Sequence, residues 1–191
     1  MKGIIDSLPP ETTAKGFYAA ILGNIPPSAG LSSSSALVSA ALLATSKAYD
    51  KEMTKSELAN LAAKSERYIG TQGGGMDQAI AFLATEGCAK LISFNPLKSE
   101  NVQLPEGAVF VIANSLAEMN KAATHDFNCR VVECRLVCQL LAKRLRLDWK
   151  RIRNLIDLQQ IVGLGIRHMR ALAMETLHDK PYTKDEVCEI V

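Results

Sequence analysis

One hundred and ninety-one residues suit one domain of ordinary size and a remainder. Hydrophobic residues make up 48% and charged residues 22%, enough for a packed core and against disorder. A net charge of +2 excludes a chain dominated by nucleic-acid electrostatics, and no run of about 18 apolar residues offers a membrane span. Asp6 breaks the opening apolar stretch too early for a signal peptide. Five cysteines, an odd count without regular spacing, suit a reducing compartment and free thiols. No Cys-x-x-Cys pair occurs, so the cysteines are expected to be buried small hydrophobes that hold no metal. These features predict a soluble, cytoplasmic globular chain.

In chain order, Gly16 to Gly23 is a short apolar run bounded by glycines and followed by Pro26-Pro27, a strand signature. Ser28 to Ser35 is a loop of small residues ending in four consecutive serines. Ala36 to Ala44 is apolar almost all round and predicts a buried helix. Thr54 and Glu57 have capping-box spacing and open an amphipathic helix with Leu58, Leu61 and Ala62 inward. Glu66, four residues after Ala62, projects from the edge of that apolar stripe. The helix must stop at Gly70, because Thr71-Gln72-Gly73-Gly74-Gly75 has almost no helix propensity.

A new helix is predicted from Met76 to Leu83, with Asp77 in its first turn. Strands follow at Cys88 to Phe94 and Ala108 to Ala113. Thr124 to Leu147 predicts one long helix with Phe127, Val131, Leu136, Leu140 and Leu141 inside. Asp148 is expected to cap a further helix with Ile152, Leu155 and Ile156 inside, and Gly163 to Val191 to be helical with Pro181 as a breaker. Strands early and helices late make the layout α+β. The basic stretch Lys143 to Arg153 is expected to be a solvated helix face rather than a nucleic-acid patch, with Met169 and Met174 as core filler. His125, His168 and His178 share no ligand spacing.

A loop of small residues feeding a helix N-terminus is an anion site in the making. Its N–H groups converge unpaired, the helix dipole adds about half a positive charge, and small side chains allow close approach. Serine hydroxyls add donors and can reach Mg²⁺. No Gly-Lys-Ser/Thr ends the loop and no Gly-x-Gly-x-x-Gly is present, so it is neither a Walker A nor a Rossmann fingerprint. Phosphoryl transfer also needs an acid to hold a cation between phosphates and a group to position or deprotonate the acceptor. Glu66 and Asp77 are candidates for those tasks, although an Asp in a first helical turn is also ordinary dipole chemistry.

Pro26 to Ala36, Lys64 to Gln78, and Phe110 to Ser115 with Glu118 to Ala123 resemble, in order, three motifs of the GHMP small-molecule kinases in their galactokinase form. The second and third are similar above all to the N-acetylgalactosamine kinase branch. The resemblance runs from about Gly23 to about Ala142 and more weakly to Val191. It implies a GHMP-kinase fold with a mixed sheet: residues 1–115 as the central and C-terminal part of the N-terminal domain, 116–191 as the helical start of the C-terminal domain. It implies that Gly30, Ser32, Ser33, Ser34 and Ser35 wrap the phosphates of ATP, and that Ser34 or Ser35 joins Glu66 on Mg²⁺. Asp77 would be catalytic, facing the anomeric hydroxyl of galactose or N-acetylgalactosamine, with Asn120 and Lys121 near the nucleotide. The partners are then small molecules, with no nucleic acid and no membrane, and the chain a monomer.

The family also has an N-terminal arginine with a Gly-Glu-His-x-Asp string and a glycine-rich C-terminal motif. Neither string occurs in these residues, so the chain is expected to be a poorly active middle portion of such a kinase. A non-catalytic sugar- and nucleotide-responsive binding protein is the alternative from another class. A mevalonate or homoserine kinase is the alternative within the family, against which the serine loop and Met76-Asp77-Gln78 argue.

Overall fold

The computed structural model describes Asp6 and residues 16–70, 72–94, 96–117 and 125–190. They fall into two compact units, 1–124 and 125–191, and the layout is α+β.

Among the described residues the first unit holds three α-helices and a hairpin: α1 (Ser33–Ala48), α2 (Lys55–Glu66), α3 (Met76–Leu83), β1 (Cys88–Ser93) and β2 (Lys98–Gln103). Leu42 of α1 and Leu58 and Ala62 of α2 form its core, with Val38, Met53, Leu61 and Phe82 packed on them. Helix α1 corrects the expectation of an apolar buried rod. Its buried residues are Ser35, Ser39, Leu42, Thr45 and Ser46, whereas Leu37 and Leu43 are exposed. Three of these hydroxyls find acceptors: Thr45 Oγ1 donates to the Ala41 carbonyl at 2.7 Å, Ser46 Oγ to the Lys51 carbonyl, and Ser35 to Glu66, whereas Ser39 Oγ is buried with no hydrogen-bond partner among the described residues. The helix ends on Asp50 at φ 50°, with the N–H of Lys51 reaching the Ser46 carbonyl and that of Asp50 reaching Lys47, the paired bonds of a Schellman turn.

The capping box of α2 is complete. Thr54 Oγ1 accepts from the Glu57 N–H at 3.2 Å, and the Glu57 carboxylate accepts from the Thr54 N–H at 2.8 Å. The Thr54 N–H and then its hydroxyl hold the Glu57 carboxyl below the ordinary value of about 4.5. A depressed carboxyl stabilises the fold fully above that ordinary value, and the contribution is lost as pH falls through the depressed one. Glu57→Ala is therefore expected to lower the melting temperature at neutral pH and to match the parent protein in strong acid. Thermal melts at both pH values check it. The helix gives way to a 3₁₀ turn, Arg67–Ile69, closed by Gly70 at φ 96°.

The hairpin pairs antiparallel from Cys88↔Gln103 to Ser93↔Lys98. It corrects two strand expectations. Gly16 to Gly23 and Ala108 to Ala113 join no ladder, and Tyr18, Leu22, Phe110 and Val111 stand exposed. The partner of β1 is the polar run Lys98–Gln103, which docks by a Lys90–Asn101 side-chain bond and main-chain pairing rather than by apolar burial. Pairing, not hydrophobicity, makes the strand.

The second unit holds α4 (Asp126–Arg144), α5 (Leu155–Val162), α6 (Ile166–Thr176) and α7 (Lys184–Ile190). Its core is Cys138, Leu141, Ala142, Ile152 and Leu158, with Trp149, Met169 and Leu172 packed around it. Helix α4 packs mainly along its C-terminal half, so Phe127, Val131 and Leu136 are only half-buried. The same distribution corrects the cysteine expectation: Cys138 is buried, whereas Cys129, Cys134 and Cys188 are exposed. Helix α4 stops before Leu147 because Arg146 turns left-handed at φ 59°, and the N–H groups of Arg146 and Leu147 close a second Schellman turn on Lys143 and Ala142.

Consecutive turns follow as far as Ile152, so the basic stretch is not one helix face. Its charges remain solvated, with the ammonium groups of Lys143 and Lys150 5.8 and 5.6 Å from the centre of the Trp149 ring. Asp148 pairs with Arg151 at 3.2 Å instead of capping α5, whose N-cap is Asn154. Leu158 is buried where Leu155 and Ile156 were expected, and Met174 is exposed. Among the described residues no helix is long and apolar enough to cross a membrane.

Candidate functional site

The loop before α1 takes left-handed backbone at Ser28 (φ 56°), Gly30 (φ 74°) and Ser32 (φ 55°). At Gly30 this costs little, and at the two serines it is strained. The first intrahelical bond of α1 runs from the Ala36 N–H to the Ser32 carbonyl at 3.0 Å. The N–H groups of Ser33, Ser34 and Ser35 therefore carry no intrahelical bond, and the Ser32 side chain does not cap them. That leaves a helix N-terminus whose donors and dipole face outward past small residues, an arrangement suited to an anion.

Glu66 ends α2 and is buried, 7% exposed. Its carboxylate sits on the inner side of α1, where Ser34 Oγ donates to Oε1 at 2.5 Å and Ser35 Oγ lies 3.2 and 3.0 Å from the two oxygens. Gln78 of α3, also buried, donates from Nε2 to Glu66 Oε2 and to Ser35 Oγ, the latter at 3.0 Å. Among the described residues every partner of this buried carboxylate is neutral. A buried carboxylate is ordinarily paired with a positive charge or a metal. One carboxylate and two hydroxyls are hard oxygen donors of the kind Mg²⁺ takes, so Glu66, Ser34 and Ser35 fit a small divalent cation.

Asp77, one residue before Gln78, lies about 100° round α3 from it and faces elsewhere. It lines an open cleft of about 340 Å³ with Leu31, Ser32, Ala36, Ile80 and Ala81. Three elements separated in sequence thus meet: the serine loop with α1, the end of α2, and the first turn of α3. The first turn of α3 is set by Gly75, which adopts φ 93° and packs so closely on α2 that a Cβ there would lie 2.9 Å from Ala63 Cβ.

Of the residues expected from sequence, Ser34 and Ser35 are each hydrogen-bonded to Glu66. Ser32 and Asp77 share the cleft, Gly30 shapes the loop, and Ser33 opens α1. Asn120 and Lys121 lie outside the described residues. Gln78 was not anticipated as a site residue. Its one signal in sequence is a long polar side chain that, with Asp77, opens a helix whose other residues are apolar.

Residues 1–85 match the family model for the GHMP kinases N terminal domain. A galactokinase of Dictyostelium discoideum is 43% identical across 100% of this chain, which covers 39% of that protein. A galactokinase of Schizosaccharomyces pombe is 36% identical over 74% of the chain and 29% of its own length, and one of Streptococcus thermophilus 29% identical over 71% and 35%. The chain is similar to these galactokinases and spans about two-fifths or less of their length.

Proposed function

With residues 1–85 matching the GHMP kinases N terminal domain as premise, we propose that the protein acts as an ATP-dependent sugar kinase of galactokinase type. Its acceptor is the anomeric hydroxyl of galactose or of N-acetylgalactosamine, and it works as a cytoplasmic monomer on small molecules alone. Residues 1–115 serve as part of the N-terminal domain and 116–191 as the helical start of the C-terminal one. The name carried by the relatives supports galactose. The resemblance of Lys64 to Gln78 to the N-acetylgalactosamine kinase branch keeps the second sugar in the proposal.

The observation that carries the reading is the bonded set of Ser34, Ser35 and Glu66 where α1 meets α2, together with a cleft between α1 and α3 that holds Asp77 and Ser32. In the reaction, the first-turn N–H groups of α1 receive the phosphate oxygens of ATP, and the left-handed loop from Ser28 to Ser32 keeps side chains out of their way. Glu66 with Ser34 and Ser35 holds Mg²⁺, which when bound neutralises charge on the phosphate oxygens. Asp77 accepts the hydrogen bond of the sugar hydroxyl, fixes its line of attack and takes its proton as the new O–P bond forms and the bond from the γ-phosphorus to the β,γ-bridging oxygen breaks, that oxygen leaving on ADP. Asn120 and Lys121 approach the nucleotide.

Calorimetric titration of ATP tests the phosphate and cation roles together. ATP is expected to bind more tightly with Mg²⁺ than without it, and Ser35→Ala to remove much of that difference. Affinity indifferent to both metal and substitution would sink the assignment. Mass analysis of the phosphorylated product with each sugar decides the acceptor.

A further inference from the structure

Gln78 does more than fill space, and the inference about it rests on the cation site proposed above. Its side chain is 3% exposed and reaches two helices at once, bonding Glu66 Oε2 of α2 and Ser35 Oγ of α1. The amide must face the carboxylate with its nitrogen, since its oxygen would set acceptor against acceptor. The three donors to Glu66 are then unequal. A serine hydroxyl can swing its proton away and turn a lone pair toward a cation. The amide N–H₂ has no lone pair to offer, and its plane is fixed by burial and by its second bond to Ser35.

We propose that Gln78 is the positioning residue of the cation site. It pins Glu66 by Oε2 so that Oε1, with the hydroxyls of Ser34 and Ser35, is presented to a divalent cation. The same anchor fixes the rotation of α3, which turns Asp77 toward the cleft shared with Ser32. One amide thereby ties the cation carboxylate to the helix carrying the acceptor aspartate.

Gln78→Met keeps the length and shape of the side chain and removes both bonds. The probe is Mn²⁺, titrated into the purified chain with and without ATP and read by the loss of the free-ion paramagnetic signal. Groups that orient metal ligands typically contribute about 10–100-fold to metal affinity, and Gln78→Met is expected to weaken Mn²⁺ binding by that order. The substitution is then repeated on Glu66→Gln. A residue acting through Glu66 has no further effect there, whereas one that only stabilises the fold weakens binding again by the same factor. Circular dichroism at the titration temperature establishes that each variant is folded, and Gln78→Leu serves where Gln78→Met is not. Parental affinity in the single variant, or an undiminished effect in the Glu66→Gln background, overturns the role of Gln78. Absence of Mn²⁺ binding by the parent chain with and without ATP overturns the cation site itself.

Discussion

In a chain joined to the flanking N-terminal and C-terminal motifs of the family, Asp77→Asn is expected to lower sugar-dependent turnover by about 10²–10⁴-fold, the usual contribution of a general base. The substitution keeps the shape of the side chain and removes its charge and its ability to take a proton. Asp77 has no hydrogen bond or ion pair within the fold among the described residues, and it is half-buried on the cleft that also holds Ser32. Little else in the structure depends on its charge beyond the helix dipole, where an exposed first-turn acid is typically worth about 0.3–1 kcal/mol. The melting temperature should therefore change little, and so should ATP affinity, because the phosphate and cation groups lie on α1 and α2. Steady-state kinetics with a parallel thermal melt check the prediction. Turnover close to that of the parent protein would leave Asp77 as a dipole-compensating residue and move the base elsewhere.

The parts of this site that were legible in the sequence are those fixed by short-range physics. Thr54 and Glu57 satisfy each other three residues apart, so the start of α2 follows from the sequence alone. Glu66 is buried because the four-residue spacing from Ala62 puts it on the packed stripe, a consequence of helical geometry. Three glycines force a break, and the helix beyond them begins at Met76 as expected. The misreadings concern choices made by distant partners. Val109 to Ile112 look more like a strand than Lys98 to Gln103 do, yet only the polar run is in register with β1. Arg146 has no intrinsic preference for left-handed backbone, so the end of α4 could not be read from it. Gln78 is the sharpest case. A glutamine is ordinarily on the surface, and only the meeting of α1, α2 and α3 creates a buried carboxylate and hydroxyl for it to bind.

Gly75→Ala tests whether that meeting is as tight as the structure makes it. The backbone at Gly75 has φ 93°, where a residue with a Cβ is strained by about 1–3 kcal/mol. The added methyl would also lie 2.9 Å from Ala63 Cβ, a contact real Cβ atoms do not make. Ala63 cannot rotate out of the way, because its Cβ is fixed to the backbone of α2. One helix must therefore move, and the costs add. For a chain of 150–250 residues each kcal/mol corresponds to a fall of roughly 2–4 °C in melting temperature. Gly74→Ala is the control one residue earlier: its φ is not in the left-handed region and a Cβ there meets nothing within 4 Å. A substitution at such a site usually stays within about 0.5 kcal/mol of the parent. The functional effect should follow the same order, because Asp77 and Gln78 lie two and three residues beyond Gly75 on α3 and Glu66 ends α2, so a shift of either helix disturbs the site. A displacement of about 1 Å in a positioning group can cost roughly 10²-fold in rate. Gly75→Ala is thus expected to lose turnover and Mn²⁺ affinity even at temperatures where it remains folded, while Gly74→Ala keeps both. Equal melting temperatures and equal Mn²⁺ affinities in the two variants would mean that α2 and α3 are not in contact at Gly75, and that the site is held together by Gln78 and Glu66 alone.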